Sequence, residues 1–332
     1  MNAERPVSRE TLRACALALA GAAVLALASC ATVPQRPPSE WLGVLPEDAT
    51  MYVSFAVSGS EAVVKKALTS AGKDFQDVSS LMDRTQRLVG AVTLQKGAPA
   101  RFDVVALGSY PSGIISMRLR GSKDWKEASV SHGKYWQWSK AGLQMGIPQD
   151  NILLVSNGDV DGLLSRWQSP VALTIPPDAA QDMKSADFVL YMPELPGNVT
   201  ESAAQKGMSM PIQEVWMSAA KTKGGYDISG TVNTSTEQKA RVVALAVRIG
   251  LVAWMRSQQV PELAERLKPV TVSAVGMQVK IAGFHVTDDE IIPLFLSFLR
   301  DLGKPSAPAP GSDSGGEPGA DAPAAPAPEG SP

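Results

Sequence analysis

Few side chains in this 332-residue chain could do chemistry, and they do not assemble into a catalytic set. The two histidines, His132 and His285, lie far apart, and neither belongs to the His-Glu-x-x-His spacing that puts two imidazoles on one helix face for zinc. There is no Gly-x-Ser-x-Gly turn, no phosphate-binding loop and no dinucleotide fingerprint. Asn157-Gly158-Asp159-Val160-Asp161-Gly162 sets oxygen donors at alternate positions with Gly sixth, as the first half of a calcium loop does. The twelfth residue is Gln168, where a bidentate acid is needed. A strand-to-helix turn with acids at the helix start therefore accounts better for the stretch. Trp136 and Trp138 fall on one side of a strand, since side chains alternate with period two. They are the candidate ligand residues if exposed, and core if covered. The expectation is a non-enzymatic protein with no cofactor and no bound metal.

The remaining reactive groups are two thiols, Cys15 and Cys30, and their setting is informative. Arg5, Arg9 and Arg13 precede sixteen uncharged residues, Ala14 to Ser29, mostly Ala and Leu, which is the layout of a secretory signal peptide. Leu27-Ala28-Ser29-Cys30 resembles the lipobox of bacterial lipoproteins, departing from it only in Ser29, where Gly or Ala is commoner. That resemblance implies cleavage before Cys30 and acyl chains such as palmitate on its thiol, which would hold the chain to a bilayer. Cleavage after Ala26-Leu27-Ala28, giving a secreted protein without lipid, is the alternative. Ala31, following the lipidated Cys, implies export to the outer membrane under the bacterial sorting rule.

Charge narrows the partners. The chain has 31 basic and 33 acidic residues, and losing the signal leaves a net charge near −3, with no basic excess for nucleic acid. Composition divides the chain into a signal peptide (1–29), a Pro-rich linker (30–40), two α/β repeats (41–168 and 169–303) and a Pro/Ala/Gly-rich disordered tail (304–332). The repeats rest on the order of elements. Met51 to Val57 and Phe188 to Met192 read as equivalent strands, each followed by a hairpin: Leu88–Leu94 with Phe102–Leu107, and Val215–Ala220 with Tyr226–Val232. A Ser58/Glu61 capping box starts a short helix, and another helix begins at Ser109-Tyr110-Pro111. Strands follow at Tyr135–Trp138, Leu143–Ile147 and Ile152–Ser156, then a helix carrying Leu163, Leu164 and Trp167. The predicted fold is α+β: two similar halves, mostly antiparallel sheet, with helices packed on it.

Two helices stand out. The first runs from Ser235 to about Gln258; between Ala240 and Met255 its only charged residues are Arg241 and Arg248, seven apart on nearly one line with Arg256 close beside them, and the rest of the circumference is apolar. From Thr287 to Leu302, Ile291, Ile292, Leu294, Phe295, Leu296, Phe298, Leu299 and Leu302 fill one broad side, with a bend expected at Pro293. Such arcs suit an in-plane membrane helix and equally a helix buried on a sheet. The candidate membrane-contacting residues are Val247, Leu251, Trp254, Met255 and Arg248 in the first helix, and Ile292, Phe295 and Leu299 in the second.

The lipobox at Cys30, followed by an α/β chain with these two helices, resembles the treponemal outer-membrane-associated lipoproteins. The resemblance implies an α/β/α fold on the periplasmic side of the outer membrane that inserts into the bilayer through amphipathic helices. The expected function is a lipid-anchored lipoprotein that associates with, and perturbs, that membrane. Its partners are membrane lipid, through acylated Cys30 and the two helices, and no nucleic acid. The alternatives are a lipid- or small-ligand-binding module and a scaffold that binds an outer-membrane protein.

Overall fold

Short runs rich in Val, Ile, Leu, Tyr and Phe, punctuated by glycine turns, favour strands that pair with their sequence neighbours. The computed structural model describes residues 41–57, 60, 84–94, 98–139, 142–195, 211–258 and 269–291, with 253–258 as backbone only. The strands are β1 (Met51–Ala56), β2 (Thr85–Thr93), β3 (Arg101–Gly108), β4 (Trp125–Val130), β5 (Gly133–Trp138) and β6 (Leu143–Gln149). They continue with β7 (Ile152–Ser156), β8 (Phe188–Met192), β9 (Ile212–Thr222), β10 (Gly225–Thr234), β11 (Thr271–Val275) and β12 (Gln278–Thr287). The helices are α1 (Ser112–Gly121), α2 (Val160–Gln168), α3 (Pro177–Ser185) and α4 (Glu237–Gln258). Tight turns close the hairpins, with Gly224 at φ 90° between β9 and β10 and Gly276 at φ 58° between β11 and β12, a region where a Cβ is costly.

All twelve strands form one antiparallel sheet in the order β11-β12-β10-β9-β8-β1-β2-β3-β7-β6-β5-β4. Outward from the β1–β8 seam, β1-β2-β3-β7-β6 and β8-β9-β10-β12-β11 follow the same chain order, with β5 and β4 added on one side. The architecture is α+β with helices on both faces.

Alternation assigns the faces. Tyr52, Val89, Val105, Leu154, Val189, Tyr191 and Trp216 point to one side, beneath α2, α3 and the entry segment Trp41–Ala49. Phe55, Val104, Met145 and Val155 point to the other, where α1 contributes Ile115 and Leu119. The same second face continues through Met51, Leu190 and Val215 to the cluster under α4. Two ionic groups sit inside these layers. The partly buried Arg87 guanidinium donates to Ser54 Oγ at 2.8 Å and to the carbonyls of Met183 and Ala186 at 3.0 and 3.1 Å, tying α3 to β1. Asp103 is fully buried, accepts from Arg101 Nε at 2.9 Å, and its Oδ1 has no partner among the described residues.

Some expectations need correction. β4 was not anticipated: Trp-Lys-Glu-Ala-Ser-Val is an edge strand with a polar outer side, and its pattern is diluted. α3 was missed because only Ala179 and Met183 of its nine residues are buried, too few for a visible stripe. The helix cap expected at Ser58 and the last helix beyond residue 291 lie outside the described residues. Residues 288–291 are helical, and Glu290 Oε2 accepts from both Thr287 N and Thr287 Oγ1, the first of which is half of a capping box.

Candidate functional site: the outer face of the long helix

α4 begins at Glu237, two residues after the expected start at Ser235. Thr236 caps it, its Oγ1 accepting from Lys239 N at 3.2 Å, and Glu237 occupies the first turn, where the helix dipole favours an acid. At about 100° per residue, a run of apolar positions on α4 can face the sheet from more than one side. The structure settles which. Ala240, Val243 and Ala244 are buried against Val232, Val272 and Val279, with Val247 and Leu251 half-buried on the same cluster. Small Ala240 and Ala244 let the helix come close to β10, β11 and β12. Val247 and Leu251 are therefore core contacts in this conformation, correcting their expected role as the membrane-contacting face.

The opposite side carries the residues that periodicity had not singled out. Val242, Leu245, Ile249 and Val252 are 60%, 57%, 61% and 42% exposed, at spacings of three, four and three that keep them on one line. Lone exposed aliphatics are ordinary, but four in register form a stripe. Cations flank it. Arg241 lies within 4.0 Å of Glu237, and the exposed Arg248 donates Nε to Val272 O at 3.0 Å, which places its guanidinium over edge strand β11. The signal was present in the sequence as the i, i+3, i+7, i+10 series from Val242. It was masked because the inward series Ala240, Val243, Val247 and Leu251 is equally apolar.

Trp254 and Met255 lie on the helix backbone, outside the described side chains. Cys30, Ile292, Phe295 and Leu299 lie outside the described residues. Among the described residues no helix is long and apolar enough to cross a membrane.

Neither Trp136 nor Trp138 offers a ligand platform. Trp136 is 5% exposed within the core beneath α1. Trp138 packs on the same cluster and stacks on Trp125 of β4, centroids 5.8 Å apart and planes 11° apart. The face they share is covered by α1, which alternation alone could not reveal.

The groups with catalytic chemistry are engaged structurally. Asp159 caps α2 by accepting from Gly162 N at 3.0 Å, and Asn157 bridges to Phe102 N and Ala100 O, so the calcium-like loop spends its oxygens on the turn. Ser131 Oγ and Asp161 Oδ1 both contact Nδ1 of His132, at 3.1 and 2.9 Å. A serine relay needs the two ring nitrogens to serve different partners, so this cluster does not form one. The hydrogen bond from His132 holds the Asp161 carboxyl below its usual range. His285 pairs with Asp227 at 2.8 Å on the sheet surface. Among the described residues no group of three or more His, Cys, Asp or Glu converges as metal ligands would.

Comparison with known proteins comes to the same architecture. The family model described as outer membrane-associated lipoprotein TP0453 matches residues 37–251. Solved structures of TP0453 share the fold. Crystal form III superposes with a TM-score of 0.56 at 16% identity, covering 77% of this chain and 97% of that one. Crystal form IV gives 0.55 at 17% identity over 76% and 95%, and crystal form I gives 0.54 at 17% identity over 77% and 96%. No curated protein matches.

Proposed function

Because the chain belongs to the TP0453 outer membrane-associated lipoprotein family, we propose that it is a non-enzymatic protein, anchored through acylated Cys30, that lies against the outer membrane with the outer stripe of α4 in the lipid surface. The observation that carries this reading is the line of Val242, Leu245, Ile249 and Val252, exposed on a helix whose opposite side is already packed. Magnitudes explain why an anchor belongs with it. Fully burying such a side chain contributes roughly 1.5–3 kcal/mol, and these are about half exposed, so together they supply on the order of 4 kcal/mol. That corresponds to a Kd of roughly 1 mM, too weak to act alone. Acyl chains on Cys30 would supply the residence, raise the local concentration of bilayer, and leave α4 to fix orientation. Arg241 and Arg248 on one flank and Lys239 on the other favour an anionic headgroup layer.

Flotation of residues 31–332 with anionic and with zwitterionic vesicles at about 10 mM lipid, above the roughly 1 mM Kd expected of the stripe without its anchor, with a dye-release measurement on the same samples, tests the proposal. Binding to anionic vesicles that is lost in Leu245→Asp/Ile249→Asp is expected. Equal absence of binding with both vesicle types would overturn it.

A further inference from the structure

The sheet face beneath α2 and α3 is apolar in its first half and becomes polar and uncovered by any described helix beyond β9. Where α3 ends its cover, a groove of about 280 Å³ opens between helix and sheet. Its floor is one cross-strand row, because Thr231 of β10 is in register with Trp216 of β9 on one side and with Lys280 of β12 on the other. Its wall is one side of α3, where Asp178, Gln181 and Asp182 fall at i, i+3 and i+4. Trp216 is 3% exposed and closes the floor with an indole. The next row outward pairs Asn233 with Glu214 and with Gln278, and there Asn233 Oδ1 is buried with no partner among the described residues. Tyr191 and Asn233 both donate to Glu214, so this acid is committed to the fold, whereas among the described residues no such partner holds the groove's carboxylates.

The chemistry of these groups narrows the ligand. Two carboxylates accept from paired hydroxyls, an ammonium donates to ether or hydroxyl oxygens, and Thr231 and Gln181 do both. Lys280 across from the acids opposes a divalent cation or a polyamine, and the acids oppose an anion. An uncharged, hydroxyl-rich molecule with an apolar ring face satisfies all of them. The volume lies just below the range for drug-sized ligand sites, roughly 300–1,000 Å³, and holds a single ring rather than a chain. We propose that this groove binds a saccharide, one sugar ring resting between α3 and the Trp216–Thr231–Lys280 row.

The test uses the full chain extracted in detergent micelles, with its amide and indole NMR signals followed against three probes: an N-acetylglucosamine tetramer, maltotetraose and spermidine. Saturable shifts confined to Asp178, Gln181, Asp182, Trp216, Thr231 and Lys280 with either sugar are expected. They should weaken about tenfold or more in Asp178→Asn/Asp182→Asn and in Lys280→Ala, and persist in Asp227→Asn on the same open face. Unchanged melting curves of the surface variants would separate lost binding from lost fold. No shift with either sugar up to about 10 mM would overturn the proposal. So would spermidine binding more tightly than both sugars and vanishing with salt, the mark of a bare acidic surface. Neither outcome bears on membrane attachment, which lies on the opposite face of the sheet.

Discussion

Arg248 of α4 donates to the backbone carbonyl of Val272 in β11, Nε to O at 3.0 Å, so the outermost strand of the sheet is bridged by the helix that crosses it. An unpaired edge carbonyl is a template for another strand, and a guanidinium laid over it both satisfies it and fastens the helix. Because Arg248 is largely in solvent, the bond contributes about 1 kcal/mol. Arg248→Gln is expected to raise hydrogen exchange selectively in α4 and β11 while leaving α1 and α2 unchanged. Uniform exchange across the chain would show that the contact does no fastening.

The two sides of α4 should respond oppositely to a charge. Ile249→Asp, on the exposed side, is expected to change stability by less than about 0.5 kcal/mol and to abolish vesicle flotation. Val247→Asp, half-buried on Val232 and Val279, is expected to cost about 2–4 kcal/mol in urea unfolding. If Val247→Asp were harmless and also lost flotation, the helix would be turned the other way on the membrane.

Arg87 holds three acceptors from β1 and α3. Burial lowers the pKa of its guanidinium, yet it remains charged at neutral pH. Arg87→Met keeps the apolar stem but takes the donor away from Ser54 Oγ and the Ala186 carbonyl, and leaves the Met183 carbonyl with the Ser54 hydroxyl alone. The expected loss is about 2–3 kcal/mol, with α3 exchanging its amides before the rest.

Two carboxyls should bend the pH profile in opposite senses. Asp150 accepts from Ser112 Oγ and N at the start of α1, which holds its carboxyl below the ordinary 3.8. Its stabilisation is present above 3.8 and is lost as pH falls through the lower folded value. Asp103 is raised above 3.8 by burial, against the pull of Ser156 and Arg101. The folded state then takes its proton first, so stability from this group grows as pH falls from the raised value towards 3.8. Urea midpoints measured from about pH 3 to 7 should show Asp150→Asn removing an acid-side loss and Asp103→Asn removing an acid-side gain.

The strands of the central sheet were legible because Met51–Ala56, Phe188–Met192 and the two hairpins carry dense β-branched and aromatic runs between glycine-rich turns. β4 and α3 were not, since each meets the core with about two side chains and hides in a polar background. The candidate surface was half legible. The sequence showed that α4 has too much apolar circumference for one contact, but Val247 and Ile249 are indistinguishable without the sheet that one of them touches. Trp136 and Trp138 teach the same point: alternation tells which residues share a face, and only α1 tells whether that face is dry. The groove at Thr231 left no trace at all, because its groups come from three strands and a helix joined by register.

The entry segment Trp41–Ala49 packs on the face of the sheet opposite α4, which turns the distance to Cys30 into a geometric constraint. Eleven residue steps separate Cys30 from Trp41, an upper reach of roughly 36–40 Å for any conformation. Helical layers of about 10–12 Å on each side of the sheet make the slab of the fold roughly 30 Å deep. An acylated chain that lays α4 on the bilayer must therefore carry its leash around the slab, using nearly all of it. On the proposed reading the segment 30–40 would act as a ruler: shortening it by four residues should leave the lipid attached and lift α4 clear of the surface, whereas lengthening it should cost little.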